Sequence, residues 1–179
     1  MKIFRQGPGP HHLAVSMIGV KLGDRLLQIG CGDGGLFAAL AAKTGLTGRA
    51  VAIDSSDEAV ARATRAAERE GVLVEISSAP LAPLPFATGS FDVVVLLDAL
   101  RPLTPEARTA LLAEVSKVLR AGGRAIIVEA AARSGLAALI GPRSDPQYSA
   151  QEWLRSAGFK AVRIVAERDG QRFVEGVRG

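Results

Sequence analysis

Apolar residues fall along this chain in short blocks. RLLQIG (25–30), RAVAIDS (49–55), VLVEISS (72–78), FDVVVLLDAL (91–100) and GRAIIVEA (123–130) are compact runs rich in Val, Ile and Leu. Runs of this length, bounded by Gly, Pro, Asp or Ser, predict buried strands. Between them lie longer segments that predict helices: GLFAALAAKTG (35–45), DEAVARATRAAEREG (57–71) and a stretch running from Pro105 to Leu119 or Arg120. Thr104 is placed to cap the last of these, with proline at the first helical position. Ser55 and Glu58 form a capping box for the helix before Gly71, and Ser149 and Glu152 form another for a short helix ending at Gly158. Gly45 and Gly71 read as helix stops, and Gly122-Gly123 as the stop of the third helix. His12 to Val20 is apolar enough for a short helix ahead of the first strand.

Strands that alternate with helices build βαβ units and a parallel sheet. The C-terminal part breaks the rule. KAVRIVAER (160–168) and QRFVEGVR (171–178) are separated only by Asp169-Gly170. Parallel neighbours need a crossover of a dozen or more residues, so this pair is a hairpin and one of its strands runs antiparallel. The expected fold is α/β: five parallel strands, a sixth after a helix, and an antiparallel seventh. RQGPGPHH (5–12) predicts a loop, and residues 131–148 predict irregular or partly helical structure.

Bulk properties narrow the class. The chain has 179 residues, 48% of them hydrophobic, which suits one domain over 1–179, with an arm at 1–20 and a core at 24–178. No long uncharged apolar run predicts a membrane span. MKIFRQGPGPHH lacks the apolar centre of a secretory signal, so a cytoplasmic location is expected. One cysteine, Cys31, permits no intrachain disulfide and no cysteine-based metal site. The net charge of +4 is scattered among acids without a basic run or interleaved aromatics, so nucleic acid is not an expected partner.

The candidate chemistry sits at LLQIGCGDGG (26–35). Gly30, Gly32 and Gly35 satisfy G-x-G-x-x-G, the dinucleotide fingerprint. Gly30, Gly32 and Gly34 satisfy G-x-G-x-G, the form seen around S-adenosylmethionine (SAM). The turn alone does not choose between them.

The terminal hairpin does. Together with LLQIGCGDG, AIDSS (52–56), LPFATGSFDVVVLLDAL (84–100) and LRAGGRAIIVE (119–129), it resembles the class I, Rossmann-like SAM-dependent methyltransferases. The likeness is greatest to small methyltransferases of quinones, lipids and secondary metabolites. It implies a three-layer fold whose antiparallel seventh strand inserts between the fifth and sixth, and methyl transfer to a small organic acceptor at O, C or N. It also implies a SAM site made of Gln28, Gly30, the backbone of Cys31, Gly32, Asp54, Ser55, Pro80, Leu81 and Leu97. Asp54 would accept from the ribose hydroxyls. Asp98 would border the methyl group as a base or orienting acceptor, and His11 would stand on the opposite wall. Three positions depart from the family: Gln28 replaces an acidic residue, Pro80 an adenine-binding aspartate, and Ala121 a loop proline. Gln28 and Pro80 motivate an alternative, a non-catalytic binding protein on the same fold. A NAD-dependent oxidoreductase is a further alternative. With a short arm and short insertions, the pocket is either open or completed by a second copy or another protein.

Overall fold

The structure is a computed structural model describing residues 11–131 and 148–179. The expectations for 5–10 and 132–147 fall outside those residues. One sheet of seven strands organises the chain: β1 (Arg25–Ile29), β2 (Arg49–Asp54), β3 (Glu75–Ser78), β4 (Phe91–Leu97), β5 (Leu119–Ala130), β6 (Lys160–Arg168) and β7 (Gln171–Val177). Their order is β3-β2-β1-β4-β5-β7-β6. Strands β1 to β5 pair in parallel, and β7 is antiparallel to both β5 and β6. Asp169 and Gly170 both take positive φ (53° and 74°), which fits a two-residue turn closing the β6–β7 hairpin.

Among the described residues five helices cover the two faces: α1 (His12–Ile18), α2 (Gly35–Thr44), α3 (Asp57–Glu70), α4 (Pro105–Val118) and α5 (Ala150–Ser156). The strand alternation decides which face each residue serves. Leu26, Val93, Val95, Ile126 and Val128 pack with Ile18, Phe37, Leu40 and Ala63 of α1, α2 and α3. Leu27, Ile29, Val94, Leu96 and Ile127 pack with Leu111, Leu112, Val115 and Leu154 of α4 and α5. This is the three-layer sandwich.

Local boundaries differ from the sequence reading in three places. Ser56, not Ser55, caps α3, accepting from Ala59 N at 3.3 Å. The Asp54 carboxylate takes the Ser56 amide at 2.9 Å, so the chain turns one residue later and Ser55 is an exposed link. Gly122-Gly123 do not stop a helix: α4 ends at Val118, and Leu119 already pairs with Phe91 as the first residue of β5. The glycines serve a register shift in that strand, where a Cβ on Gly123 would lie 2.8 Å from Arg120 O. Strand β3 is confined to 75–78.

Ion pairs tie the ends. At the amino edge of the sheet, Asp92 accepts from Arg25 N (2.8 Å) and Arg25 Nε (3.0 Å), and pairs with Arg120. Arg124 donates to Ile18 O and Gly19 O and to buried Glu175, which anchors the end of α1 on the sheet.

Candidate functional site

Strand order reverses between β1 and β4, and in open α/β sheets the ligand crevice forms beyond the carboxyl ends of the strands at such a point. The sequence-predicted residues gather there. The turn after β1 is fastened to the tip of β2: Gly30 N donates to Ile53 O at 2.9 Å, and Cys31 N to Asp54 Oδ2 at 2.7 Å. Ala79 N donates to Asp54 O at 3.1 Å, which brings the loop carrying Pro80 and Leu81 alongside. On the other flank, Leu97 ends β4 and Asp98 follows it.

The glycines of the turn answer to different neighbours. Gly30, Gly32 and Gly34 all have positive φ (88°, 56° and 85°). A Cβ on Gly30 would lie 2.3 Å from the Leu97 carbonyl oxygen, and one on Gly34 would lie 2.4 Å from Ala63 Cα in α3. A Cβ on Gly35 would meet His11 Nε2 at 2.4 Å. Only Gly32 is exposed, and its nearest neighbour would be the flexible end of Leu97, Cδ2 at 3.0 Å. Gly30 and Gly34 are therefore demanded by backbone neighbours, Gly35 meets only the movable tip of His11, and Gly32 alone is exposed, its backbone open to a ligand.

Gln28 is fully buried in β1. Its Nε2 donates to Gly30 O at 2.9 Å, while its Oε1 has no hydrogen-bond partner. Asp54 is half-buried and uses one lone pair of each oxygen on Cys31 N and Ser56 N. A carboxylate offers about four acceptor sites, so roughly two remain. Cys31 is buried, its amide is taken by Asp54 and its carbonyl by Gly34 N, so its backbone braces the turn. Burial, aided by the Asp54 charge, pushes the thiol up to about 12 and keeps it neutral. Pro80 and Ser55 are exposed and Leu81 half-buried against the core beside Ala79 and Phe86.

Asp98 is exposed and sits at φ 48°, a region in which Asp is tolerated better than most residues. Its amide donates to Val128 O (2.9 Å) and its Oδ1 accepts from Ala130 N (3.3 Å), joining the ends of β4 and β5. His11 precedes α1 and packs on the start of α2. It lines a cavity of about 490 Å³ that runs along α2 to Lys43 and to Arg69 and Glu70 at the end of α3. That cavity follows the outer helical face, away from the β4–β5 ends that carry Asp98.

Two residues near the crevice went unmarked in the sequence reading. Glu129, 2% exposed, closes the apolar run of β5 and accepts from Tyr148 OH at 2.8 Å. Arg101 follows β4 and reaches Ala130 O at 3.3 Å. An acidic residue at the end of an otherwise apolar strand, AIIVEA, was the available clue.

Fold and site define a doubly wound α/β domain with an antiparallel seventh strand and a glycine turn fastened to Asp54 at its switch point. Residues 26–123 match the family described as a methyltransferase domain, and the chain belongs to that family. It is 31% identical over 118 residues to the ubiquinone/menaquinone biosynthesis C-methyltransferase of Chromobacterium violaceum, covering 66% of this chain and 48% of that one. The chain thus spans about half the length of the quinone methyltransferases it matches. The fold is similar to a SAM-dependent methyltransferase from Aquifex aeolicus (TM-score 0.79, 21% identity, 96% of this chain and 95% of that chain). It is also similar to the magnesium protoporphyrin IX methyltransferase of Synechocystis PCC 6803, solved with bound S-adenosylhomocysteine (SAH), at TM-score 0.70 and 25% identity over 93% of this chain and 81% of that chain. Among the described residues no helix is long and apolar enough to cross a membrane.

Proposed function

We propose that this chain binds SAM and transfers its methyl group to a small organic acceptor. The observation that carries the reading is the buried, unpartnered Gln28 Oε1 beside a glycine turn that leaves Gly32 open. A buried acceptor without a donor costs about 1–3 kcal/mol. An ammonium group such as that of the methionyl end of SAM supplies the missing donor.

The residues fit the cofactor in three parts. Gly32 and Gln28 serve the methionyl end, with Gly30 and Cys31 holding the turn in shape. The free acceptor sites of Asp54 serve the ribose hydroxyls, with exposed Ser55 next to them. Leu81, Ala79 and Phe86 offer an apolar edge to the adenine, and the Leu81 amide a donor. Pro80 supplies neither a side-chain acceptor nor an amide. Bound SAM carries its methyl on a sulfonium, already a good leaving group, so the protein's task is alignment of the reacting groups. Leu97 and Asp98, at the end of β4, border the acceptor, and Asp98 orients it or takes its proton. His11 packs against Gly35 at the start of α2 and takes no part in lining the acceptor.

Calorimetric titration with SAH and with NAD tests the reading. SAH binding without NAD binding is expected, and NAD binding without SAH binding refutes it. Pro80 favours a second reading, a binding protein that holds SAM weakly without turnover. SAH binding with no transfer of labelled methyl to a panel of phenols, hydroquinones and amines supports that one.

A further inference from the structure

The end of β5 carries polarity that the fold leaves unfinished. Glu129 accepts from the Tyr148 hydroxyl through Oε2, and burial together with the neighbouring Glu129 charge raises the Tyr148 phenol above its ordinary range, so it stays a donor. The other oxygen, Oε1, has an ion-pair neighbour, Arg101 Nη2 at 3.3 Å. That nitrogen donates one of its two hydrogens to Ala130 O, and at Oε1 it makes an ion pair without hydrogen-bond geometry. Glu129 Oε1 and Arg101 Nε are both buried and both without a hydrogen-bond partner. They form an orphan acceptor and an orphan donor on adjacent groups.

The surroundings combine aromatic rings with a second guanidinium, that of Arg108, over Tyr148 at 4.8 Å and over Trp153 at 5.4 Å. Arg101 lies over the Tyr148 ring at 5.0 Å, and Ala99, Leu100, Leu103 and Trp153 belong to the hydrophobic cluster packed beneath. The position is continuous with the crevice. Val128, next to Glu129, pairs with Leu97, whose carbonyl oxygen abuts Gly30.

We propose that Arg101 and Glu129 bind a hydroxyl group of the methyl acceptor, the hydroxyl donating to Glu129 Oε1 and accepting from Arg101 Nε–H. This deepens the methyltransferase reading and rests on it. The chemistry selects the group: an ether or carbonyl oxygen accepts but donates nothing, and an ammonium donates but accepts nothing. Only a group that does both satisfies the two orphans through one atom. A site built around buried polar groups rejects the analogue lacking the hydrogen bond more strongly than an apolar pocket rejects a shape change. Arg101 and Glu129 are thus specificity residues for an acceptor such as a phenol, enol or hydroquinone.

The test uses the whole chain loaded with SAH, with 1-naphthol and 1-methoxynaphthalene as probes in calorimetric titrations. In the parent, 1-naphthol is expected to bind at least 10-fold tighter than its methyl ether, in line with about 1.5–3 kcal/mol for a hydrogen bond to a charged group. Glu129→Gln removes the charge in an isosteric side chain. Arg101→Lys, at a residue one-third exposed (32%), removes the Nε donor without emptying the core. Either variant is expected to bring 1-naphthol to within about threefold of the ether, with SAH affinity unchanged within twofold. Tyr148→Phe keeps the orphan pair and should cost 1-naphthol less than either of them. Equal binding of alcohol and ether by the parent, no detectable binding of 1-naphthol, or parental discrimination in both variants overturns the proposal while SAH still binds. Failure of the parent to bind SAH overturns the methyltransferase reading itself.

Discussion

Replacing Gly30 and Gly32 one at a time by alanine separates what the fold requires of the glycine turn from what a ligand requires. At Gly30 the new Cβ would lie 2.3 Å from the Leu97 carbonyl oxygen and 3.4 Å from its carbonyl carbon. Neither strand can retreat, because Ile29 and Leu96, the preceding residues, are paired in the centre of the sheet and fully buried. Left-handed backbone costs a non-glycine residue about 1–2 kcal/mol. Overpacking against a fixed neighbour adds about 1–3 kcal/mol. The sum, about 2–5 kcal/mol, is a large share of a stability that for domains of this kind is about 5–15 kcal/mol. At Gly32 the φ of 56° is near the left-handed minimum, and the neighbour is a methyl of Leu97 that can rotate away. There the expected cost is about 1–2 kcal/mol, partly offset by the reduced freedom of the unfolded chain. Urea denaturation should rank Gly30→Ala below Gly32→Ala by about 1–3 kcal/mol, the overpacking that only Gly30 incurs. SAH titration should show the reverse emphasis, with folded Gly32→Ala losing about 10-fold or more in affinity. If Gly30→Ala unfolds within about 1 kcal/mol of Gly32→Ala, the close approach of Leu97 does not explain the glycine.

Two further outcomes are expected. Burial raises the Asp92 carboxyl, but the hydrogen bonds from Arg25 and Arg120 outweigh it and hold the group well below the usual carboxylate range. Its stabilisation is therefore complete above the unfolded value of about 3.9 and fades as pH falls toward the lower folded value. Asp92→Asn should cost about 1.5–3 kcal/mol at pH 7 and progressively less below about pH 4 by urea denaturation, and an equal cost at pH 7 and pH 2 would contradict it. Pro80→Asp supplies an acceptor for the adenine amine beside Asp54 and should tighten SAH about 5- to 30-fold, or about 1–2 kcal/mol. Unchanged affinity in the folded variant would show that apolar contact at Leu81 already suffices.

The sheet was legible because its signals are local. Buried β1, β2 and β4 are short runs dominated by apolar residues, and Asp169-Gly170 reports a hairpin by itself. What the residues did not reveal were decisions made by partners distant in sequence. Ser55 and Ser56 are equally good caps, and the choice is made by Asp54, whose side chain takes the Ser56 amide. Gly122-Gly123 resembles a helix stop until Leu119 is seen paired to Phe91. The glycine turn reads as four positions cleared for a ligand, yet the backbones of Leu97 and Ala63 account for two of them, Gly30 and Gly34. His11 was expected across the pocket from Asp98. It rests instead on the start of α2, because α1 packs on that helix through Ala14 and Ile18.

The placement of unsatisfied polarity ties the site to the fold. Among the described residues the buried polar side chains are Gln28, Thr44, Arg108, Glu129 and Glu175. Three are served by their neighbours: Thr44 donates to Ala41 O, Arg108 to Leu100 O and Arg101 O, and Glu175 accepts from Arg124 and Arg163. The other two, Gln28 and Glu129, each keep one oxygen unpartnered, and the one further buried orphan is Arg101 Nε. Each of these oxygens belongs to the penultimate residue of its strand, Gln28 in β1 and Glu129 in β5, and Arg101 follows β4. All three lie at the carboxyl edge, where strand order reverses. They also fall on opposite faces of the sheet, Gln28 with the α1–α3 layer and Glu129 with the α4–α5 layer. A packing accident would scatter such defects, whereas a crevice that holds a charged cofactor on one side and a hydroxylated acceptor on the other requires them in this arrangement. The Gln28 oxygen costs about 1–3 kcal/mol, while the Glu129 oxygen and Arg101 Nε, which belong to one ion pair, lack only their hydrogen bonds. Ligands that complete them should therefore stabilise the fold, each by an amount set by its concentration relative to its dissociation constant.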